Sequence, residues 1–358
     1  MNVRTKQLHD QGVSLWLDNI TRKMLDDGTI KQYIDGLSVT GLTSNPSIFD
    51  NAITSSHDYD EAIRAINNPD ISDEDLFFEL AVEDIQRAAD LFMPVFHKSN
   101  GLDGFVSIEV SPRLAYDTEN TMKAAKQIYL KVNRPNAFIK IPGTPEGLPA
   151  IEKAIAEGIP VNVTLLFSPE QYEAASEAYL KGIENRISQG LNPDVRSVAS
   201  VFVSRWDKAV SGKVVQELQN RLGIAMMQKT YASYLRFLSS HRVQRIMNFG
   251  AFPQRLLWAS TGTKDPNASD ILYVRNLIAP YTINTIPENT LLAYANHGET
   301  GPAMTGSVQE TDMVLRKFSD ASIDLHQLGT QLQVEGAEAF NKSWEHLIDS
   351  IKIKRTQI

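Results

Sequence analysis

Phe138-Ile139-Lys140-Ile141-Pro142 sets a lone lysine into an otherwise apolar run, and Val161-Asn162-Val163-Thr164-Leu165 follows one helical segment later. Short runs of this kind, rich in β-branched and aromatic residues and bounded by turn signals, read as strands buried on both faces, the pattern of a parallel sheet. Working outward, comparable runs lie at 14–20, 37–44, 105–110, 137–141, 160–167, 197–204, 255–260 and 281–286, eight in all. Helical patterns separate them. Asp117-Thr118-Glu119-Asn120 opens one that carries Met122, Ala125, Ile128, Tyr129 and Val132 at spacings of three and four. Ser168-Pro169-Glu170 places proline at a first helical position, ahead of Tyr172, Ala175, Ala178 and Tyr179. Pro145-Glu146-Gly147 begins a shorter helix that stops at Gly158. Strands alternating with helices predict parallel pairing, and the count predicts an α/β fold built as one closed (β/α)8 TIM barrel. An open doubly wound sheet is the competitor, and it lacks the Gly-rich phosphate loop expected after its first strand.

Two segments exceed the bare repeat. The stretch 72–96 reads as a long helix between the second and third strands, with another helix before it. After Gly298-Glu299-Thr300-Gly301-Pro302, the stretch 324–351 carries Leu325, Leu328, Leu332, Phe340, Trp344, Leu347, Ile348 and Ile351 roughly on one face. A terminal helix packed on the barrel is expected there, and periodicity leaves open whether it also covers part of the barrel mouth. The expected organisation is one domain over 1–358, with a C-terminal helical extension from about 305 to 358.

Composition narrows the chemistry. A net charge of −8 speaks against a broad nucleic-acid or anionic-membrane partner, while a few local Lys or Arg side chains would suffice for a small anion. With no cysteine there are no disulfides, no thiolate nucleophile and no Cys-based zinc site. The seven histidines are scattered, without H-x-H or H-E-x-x-H spacing, so no metal is expected, and no G-x-S-x-G elbow is present. No apolar h-region opens the chain and no apolar run is long enough to span a bilayer, so a cytoplasmic protein is expected.

Polar residues inside doubly buried strands need a reason. Asp18 in Leu15-Trp16-Leu17-Asp18, Glu109 in Val106-Ser107-Ile108-Glu109-Val110, and Lys140 each fall near the C-terminal end of a run, where barrels of this kind carry their chemistry. Asn162 and Thr164 share one strand face, as do Ser200, Phe202 and Ser204. Two acids and a lysine could compensate one another as an ion-pair cluster closing the barrel end. Three such residues at one end of three strands favour a site, and exclusion from water makes a lysine a usable amine nucleophile toward carbonyl carbon.

Five stretches in order then resemble one family. They are Thr40-Gly41-Leu42-Thr43-Ser44-Asn45-Pro46-Ser47, Val106-Ser107-Ile108-Glu109-Val110, Ile139-Lys140-Ile141-Pro142-Gly143-Thr144, Asn162-Val163-Thr164-Leu165-Leu166-Phe167-Ser168 and Ser200-Val201-Phe202-Val203-Ser204-Arg205. Together they resemble the strand ends of transaldolases, the Schiff-base enzymes of the pentose phosphate pathway. The resemblance implies transfer of a dihydroxyacetone unit from sedoheptulose 7-phosphate to glyceraldehyde 3-phosphate, with no cofactor. It implies Lys140 as the Schiff-base lysine, Glu109 as an acid/base acting through a water, and Asp18 as acceptor of the C4 hydroxyl proton. Asn45, Asn162 and Ser200, with Thr43 and Thr164, would hold substrate hydroxyls and that water.

For phosphate, Arg205 and Ser260 match family ligands. Many family members carry an arginine two residues after that serine, whereas this chain reads Ser260-Thr261-Gly262-Thr263-Lys264, so Lys264 is the candidate for the charge. Phe202 is expected as core or as a wall of the site. Sugar phosphates are the expected partners, and a homo-oligomer is compatible with the sequence. A fructose-6-phosphate aldolase on the same barrel, a non-catalytic sugar-phosphate-binding barrel, and a glycosidase using Glu109 and Asp18 are the alternatives. The last leaves Lys140 without a role.

Overall fold

The structure is a computed structural model and describes residues 1–66, 68 and 70–357. Its eight strands are β1 (Val13–Asp18), β2 (Val39–Thr43), β3 (Val106–Glu109), β4 (Ala137–Pro142), β5 (Val161–Leu166), β6 (Ser197–Phe202), β7 (Arg255–Ala259) and β8 (Thr282–Ile286). They pair in sequence order, all parallel, and β8 closes on β1. This is the closed barrel expected from the alternation of strand and helix patterns. Among the described residues, no helix is long and apolar enough to cross a membrane.

Each expected run overlaps its strand; β1 begins one residue before its run and β4 ends one residue after, and the other runs overshoot for local reasons. Leu37 ends the helix Thr29–Leu37, and Ser38 caps it at φ 57°. Tyr281 and Ser260, at φ 63° and 56°, flank strands without joining them. Ser204 begins a helix instead of ending a strand. Left-handed backbone at non-glycine residues is uncommon, and residue type does not announce it.

Helix starts follow from capping chemistry. Ser72 accepts from Asp75 N and opens the helix Asp73–Lys98, whose first turn carries Asp73, Glu74 and Asp75 against the positive end of the helix dipole. Ser168 and Gln171 form a capping box at the helix Pro169–Ser188. Before the 73–98 helix the chain makes two short helices, Pro46–Thr54 and Asp60–Ala65, where one was expected. The tail forms the helices Gln309–Asp320 and Leu325–Gln357; the second packs on the 46–54 and 73–98 helices through buried Trp344, Leu347 and Ile351.

The two ends of the barrel interior are chemically opposite. Near the N-terminal ends of the strands, Trp16, Phe105 and Phe138 stack, with ring centroids 6.2 Å (Trp16–Phe138) and 4.2 Å (Phe105–Phe138) apart. Trp16 Nε1 donates to Asp103 at 2.6 Å, so the indole is both packed and hydrogen-bonded. Strand alternation brings a residue two positions on to the same face. Trp16 is thus succeeded by Asp18, Phe138 by Lys140, and Phe105 by Ser107 and then Glu109. An apolar plug at one end therefore fixes which side chains gather at the other.

The plug has little spare room. A Cβ on Gly41 of β2 would stand 2.5 Å from the Trp16 indole. Gly41→Ala is expected to destabilise the barrel by about 1–3 kcal/mol through overpacking. Urea denaturation reads this as a lowered midpoint with unchanged slope, and an unchanged midpoint would show that Trp16 yields freely.

Candidate active site

Lys140 and Glu109 are paired in register on β4 and β3, and Lys140 is paired with Asn162 on β5. Register alone therefore sets these three side chains side by side. Lys140 Nζ lies 3.2 Å from Glu109 Oε2, with the two side chains 6% and 4% exposed. Its ammonium donates to Ser44 O at 2.8 Å. Neither Glu109 oxygen has a hydrogen-bond partner, so the Lys140–Glu109 contact is an ion pair without hydrogen-bond alignment. The lysine sits in an apolar strand as expected, but its head group meets a carbonyl and a carboxylate. Burial pushes the Glu109 carboxyl above its ordinary value; Lys140 opposes that shift and Asp18 reinforces it.

Asp18 ends β1 and accepts from Thr43 Oγ1 at 2.8 Å, and Thr43 contacts Thr285 Oγ1 of β8 at 2.5 Å. Part of its surface opens into a cavity, but protein surrounds that cavity, and the carboxyl behaves electrostatically as buried. Burial raises it above the usual aspartate value, with Lys140, the Thr43 hydroxyl and Lys264 pulling the other way. Beneath the cavity, Asn162 donates to Ser107 Oγ at 3.1 Å and accepts from Ser200 Oγ at 2.7 Å, which locks β3, β5 and β6 together. Asn45 Oδ1 caps the 46–54 helix by accepting from Ile48 N at 3.1 Å.

These groups surround a cavity of about 210 Å³ at the C-terminal ends of the strands. Asp18, Thr43, Asn45, Lys140, Thr164 and Ser200 line its floor and sides; Phe202, Arg205, Ser260 and Lys264 line it as well. Glu109 and Asn162 do not reach it and lie buried behind Lys140 and Ser200. Ser47, Thr285 and Phe340 also line the cavity, and sequence reasoning missed all three. Thr285 was findable, because it is a polar residue at the C-terminal end of its strand, like Asp18. Phe340 was read only as core on a terminal helix. It packs against Phe202 with ring centroids 6.4 Å apart, so the C-terminal helix does cover one side of the mouth.

Among the described residues, Arg205 and Lys264 make no ion pair. Lys264 is held below the usual lysine value by partial burial and by the charges of Arg205 and Lys208, with Asp18 opposing. Ser260 Oγ contacts Ser204 Oγ at 2.9 Å. The helix Ser204–Val210 that carries Arg205 is fixed by Asp207, which accepts from Leu222 N, Gly223 N and Tyr273 OH at 2.9, 3.2 and 2.8 Å. Burial pushes the Asp207 carboxyl up to about 6. Crowded, unneutralised cations in a concave site suit a small dianion such as phosphate. Among the described residues, no group of three or more His, Cys, Asp or Glu side chains is placed to hold a metal ion.

Residues 15–351 match the family described as Transaldolase/Fructose-6-phosphate aldolase. A transaldolase of Saccharopolyspora erythraea is 42% identical, over 98% of this chain and 97% of its own length. Transaldolases of Kocuria rhizophila, 40% identical over 98% of both chains, and Thermobifida fusca, 42% identical over 97% of this chain and 96% of its own, are similarly related.

The raised Asp18 carboxyl has a consequence for stability. Because the folded chain holds this proton more tightly than the unfolded chain, the contribution is fully present below the ordinary aspartate value of 3.8 and is lost as pH rises through the folded value. Asp18→Asn removes that loss. The variant is expected to melt above the parent at pH 7, the difference closing as pH approaches 3.8. Thermal unfolding across this range checks it, and a variant less stable at pH 7 would contradict it.

Proposed function

This chain belongs to the transaldolase/fructose-6-phosphate aldolase family, and we infer that Lys140 is the nucleophile of its reaction. The reaction is that of a transaldolase. A dihydroxyacetone unit passes from sedoheptulose 7-phosphate to glyceraldehyde 3-phosphate, leaving erythrose 4-phosphate and forming fructose 6-phosphate, as full-length relatives bearing that name support. The observation that carries the assignment of Lys140 is its buried contact with Glu109 at the floor of a cavity that also holds Asp18.

In this reading the Lys140 amine adds to the ketose C2 carbonyl once its proton has passed to Glu109, whose burial favours the protonated form. Glu109 then returns a proton to the C2 hydroxyl, which leaves as water and gives the iminium. Both Glu109 oxygens and Thr164 Oγ1 are buried without a protein hydrogen-bond partner, and water would satisfy them. The iminium draws electrons from C3. Asp18 takes the C4 hydroxyl proton, the C3–C4 bond breaks, and the electron pair settles in a neutral enamine on Lys140. An incoming aldehyde phosphate reverses these steps. Thr43, Asn45 and Ser200 would hold the hydroxyls of the three-carbon unit, with Asn162 fixing Ser200 from behind. Phe202 and Phe340 would wall the apolar side, and Arg205, Ser260 and Lys264 would take the phosphate. We place this chemistry in the cytoplasm, in keeping with a chain free of cysteine.

Asp18→Asn should lose about 10²–10⁴-fold in turnover, the usual worth of a proton-transfer group, while remaining folded by circular dichroism. Near-normal turnover would remove Asp18 from the pathway. Arg205→Ala should raise KM for phosphorylated ketose by roughly 10–100-fold, the equivalent of one charge-assisted hydrogen bond, with a smaller effect on kcat. Fructose 6-phosphate supplied alone should yield at most one equivalent of bound three-carbon unit. Continuous release of free dihydroxyacetone would instead assign the aldolase reaction.

A further inference from the structure

The C-terminal helix Leu325–Gln357 does more than wall the cavity. One of its polar side chains, Gln333, is 7% exposed and reaches the ends of β4 and β5. Its Nε2 donates to Gly143 O at 3.0 Å and to Leu165 O at 2.9 Å. Gly143 follows directly on β4, three residues past Lys140, and Leu165 lies near the end of β5 beside Thr164. Gly143 N in turn donates to Thr164 O at 2.7 Å, so the two strand ends and Gln333 form one closed hydrogen-bonded unit.

This unit holds a backbone that would not choose its conformation. Leu165 sits at φ 57°, in the left-handed region that a leucine rarely adopts. The β5–β6 register shifts at the same place, between Val163 and Leu166. Such a residue persists only where its surroundings over-determine it. Here the surroundings are Gln333 and the close seat of Gly336, where a Cβ would stand 3.0 Å from Leu165 Cδ2. Thr164, next to this kink, lines the cavity with a buried hydroxyl that has no protein partner.

We propose that Gln333 is a positioning residue for the reaction, setting the spacing of the β4 and β5 ends so that the Thr164 hydroxyl faces Lys140 and Glu109. Its influence falls on the step in which the C2 hydroxyl of the carbinolamine leaves as water, taking its proton from Glu109 while the Lys140 nitrogen forms the double bond to C2. The proposal rests on the reading of Lys140 as nucleophile. Removing the two donors would leave both carbonyls unpaired, release the strained Leu165 and turn Thr164 away from the leaving water.

The test uses the full chain and fructose 6-phosphate. Parent, Gln333→Met (similar size, no N–H) and Gly336→Ala (which nudges Leu165 without removing a hydrogen bond) are mixed with the ketose well below their melting temperatures. Each reaction is quenched with borohydride at successive times, and the reduced adduct is counted by mass spectrometry. Gln333→Met should form adduct about 10²-fold more slowly, with KM within a factor of about two of the parent. Gly336→Ala should slow it several-fold, and it decides the question if Gln333→Met fails to fold. Parent-like adduct rates in the folded variants would overturn the proposal even if their melting temperatures fall. No adduct on Lys140 in the parent would instead overturn the reading beneath it.

Discussion

Two opposite charges 3.2 Å apart, both shut off from water, set the character of this barrel. Taking an ammonium and a carboxylate out of water costs several kcal/mol for each ion, and their attraction offsets this only while both remain. The Lys140–Glu109 pair is not optimised for stability, since burial raises the carboxyl's affinity for a proton even with Lys140 opposing. Such a pair is poised for proton transfer. The proton that holds the lysine in its ammonium form has a nearby acceptor that burial has already made more basic.

The surrounding architecture exists to place that pair. Register between β3 and β4 puts Glu109 beside Lys140, and alternation along the strands keeps both on the face that Trp16, Phe105 and Phe138 fill at the opposite end. Asp18 reaches the same cavity from β1, where Thr43 of β2 and Thr285 of β8 steady it. Burial makes its charged form, too, costly to the fold. Stability is thus lowered at the very positions where reactivity is gathered, and the apolar plug, the capped helices and the C-terminal helix supply the stability that offsets it.

Much of this was legible in the sequence for an identifiable reason. A strand buried on both faces tolerates few polar residues, so Asp18, Glu109, Lys140, Asn162 and Ser200 stood out against their runs. Thr285 obeys the same rule and was overlooked because threonine is common in strands. Strand ends were read too long where Ser260 and Tyr281 take up left-handed backbone, a state set by tertiary contacts and not by residue type. Gln333 and Phe340 were out of reach. They lie far along the chain from the strands they touch, on a helix whose periodicity reveals a buried face but not its target. Lys264 is intermediate: its place beside Arg205 and its opposition to Asp18 become visible only when the loop after β7 is seen folded over the cavity.

The most direct test is to reduce the enzyme with borohydride in the presence of fructose 6-phosphate, digest it, and locate the added three-carbon unit by peptide mass spectrometry. A buried lysine primed by Glu109 predicts one stoichiometric adduct, on the peptide containing Lys140. A label on any other lysine, or no label at all, would contradict that account.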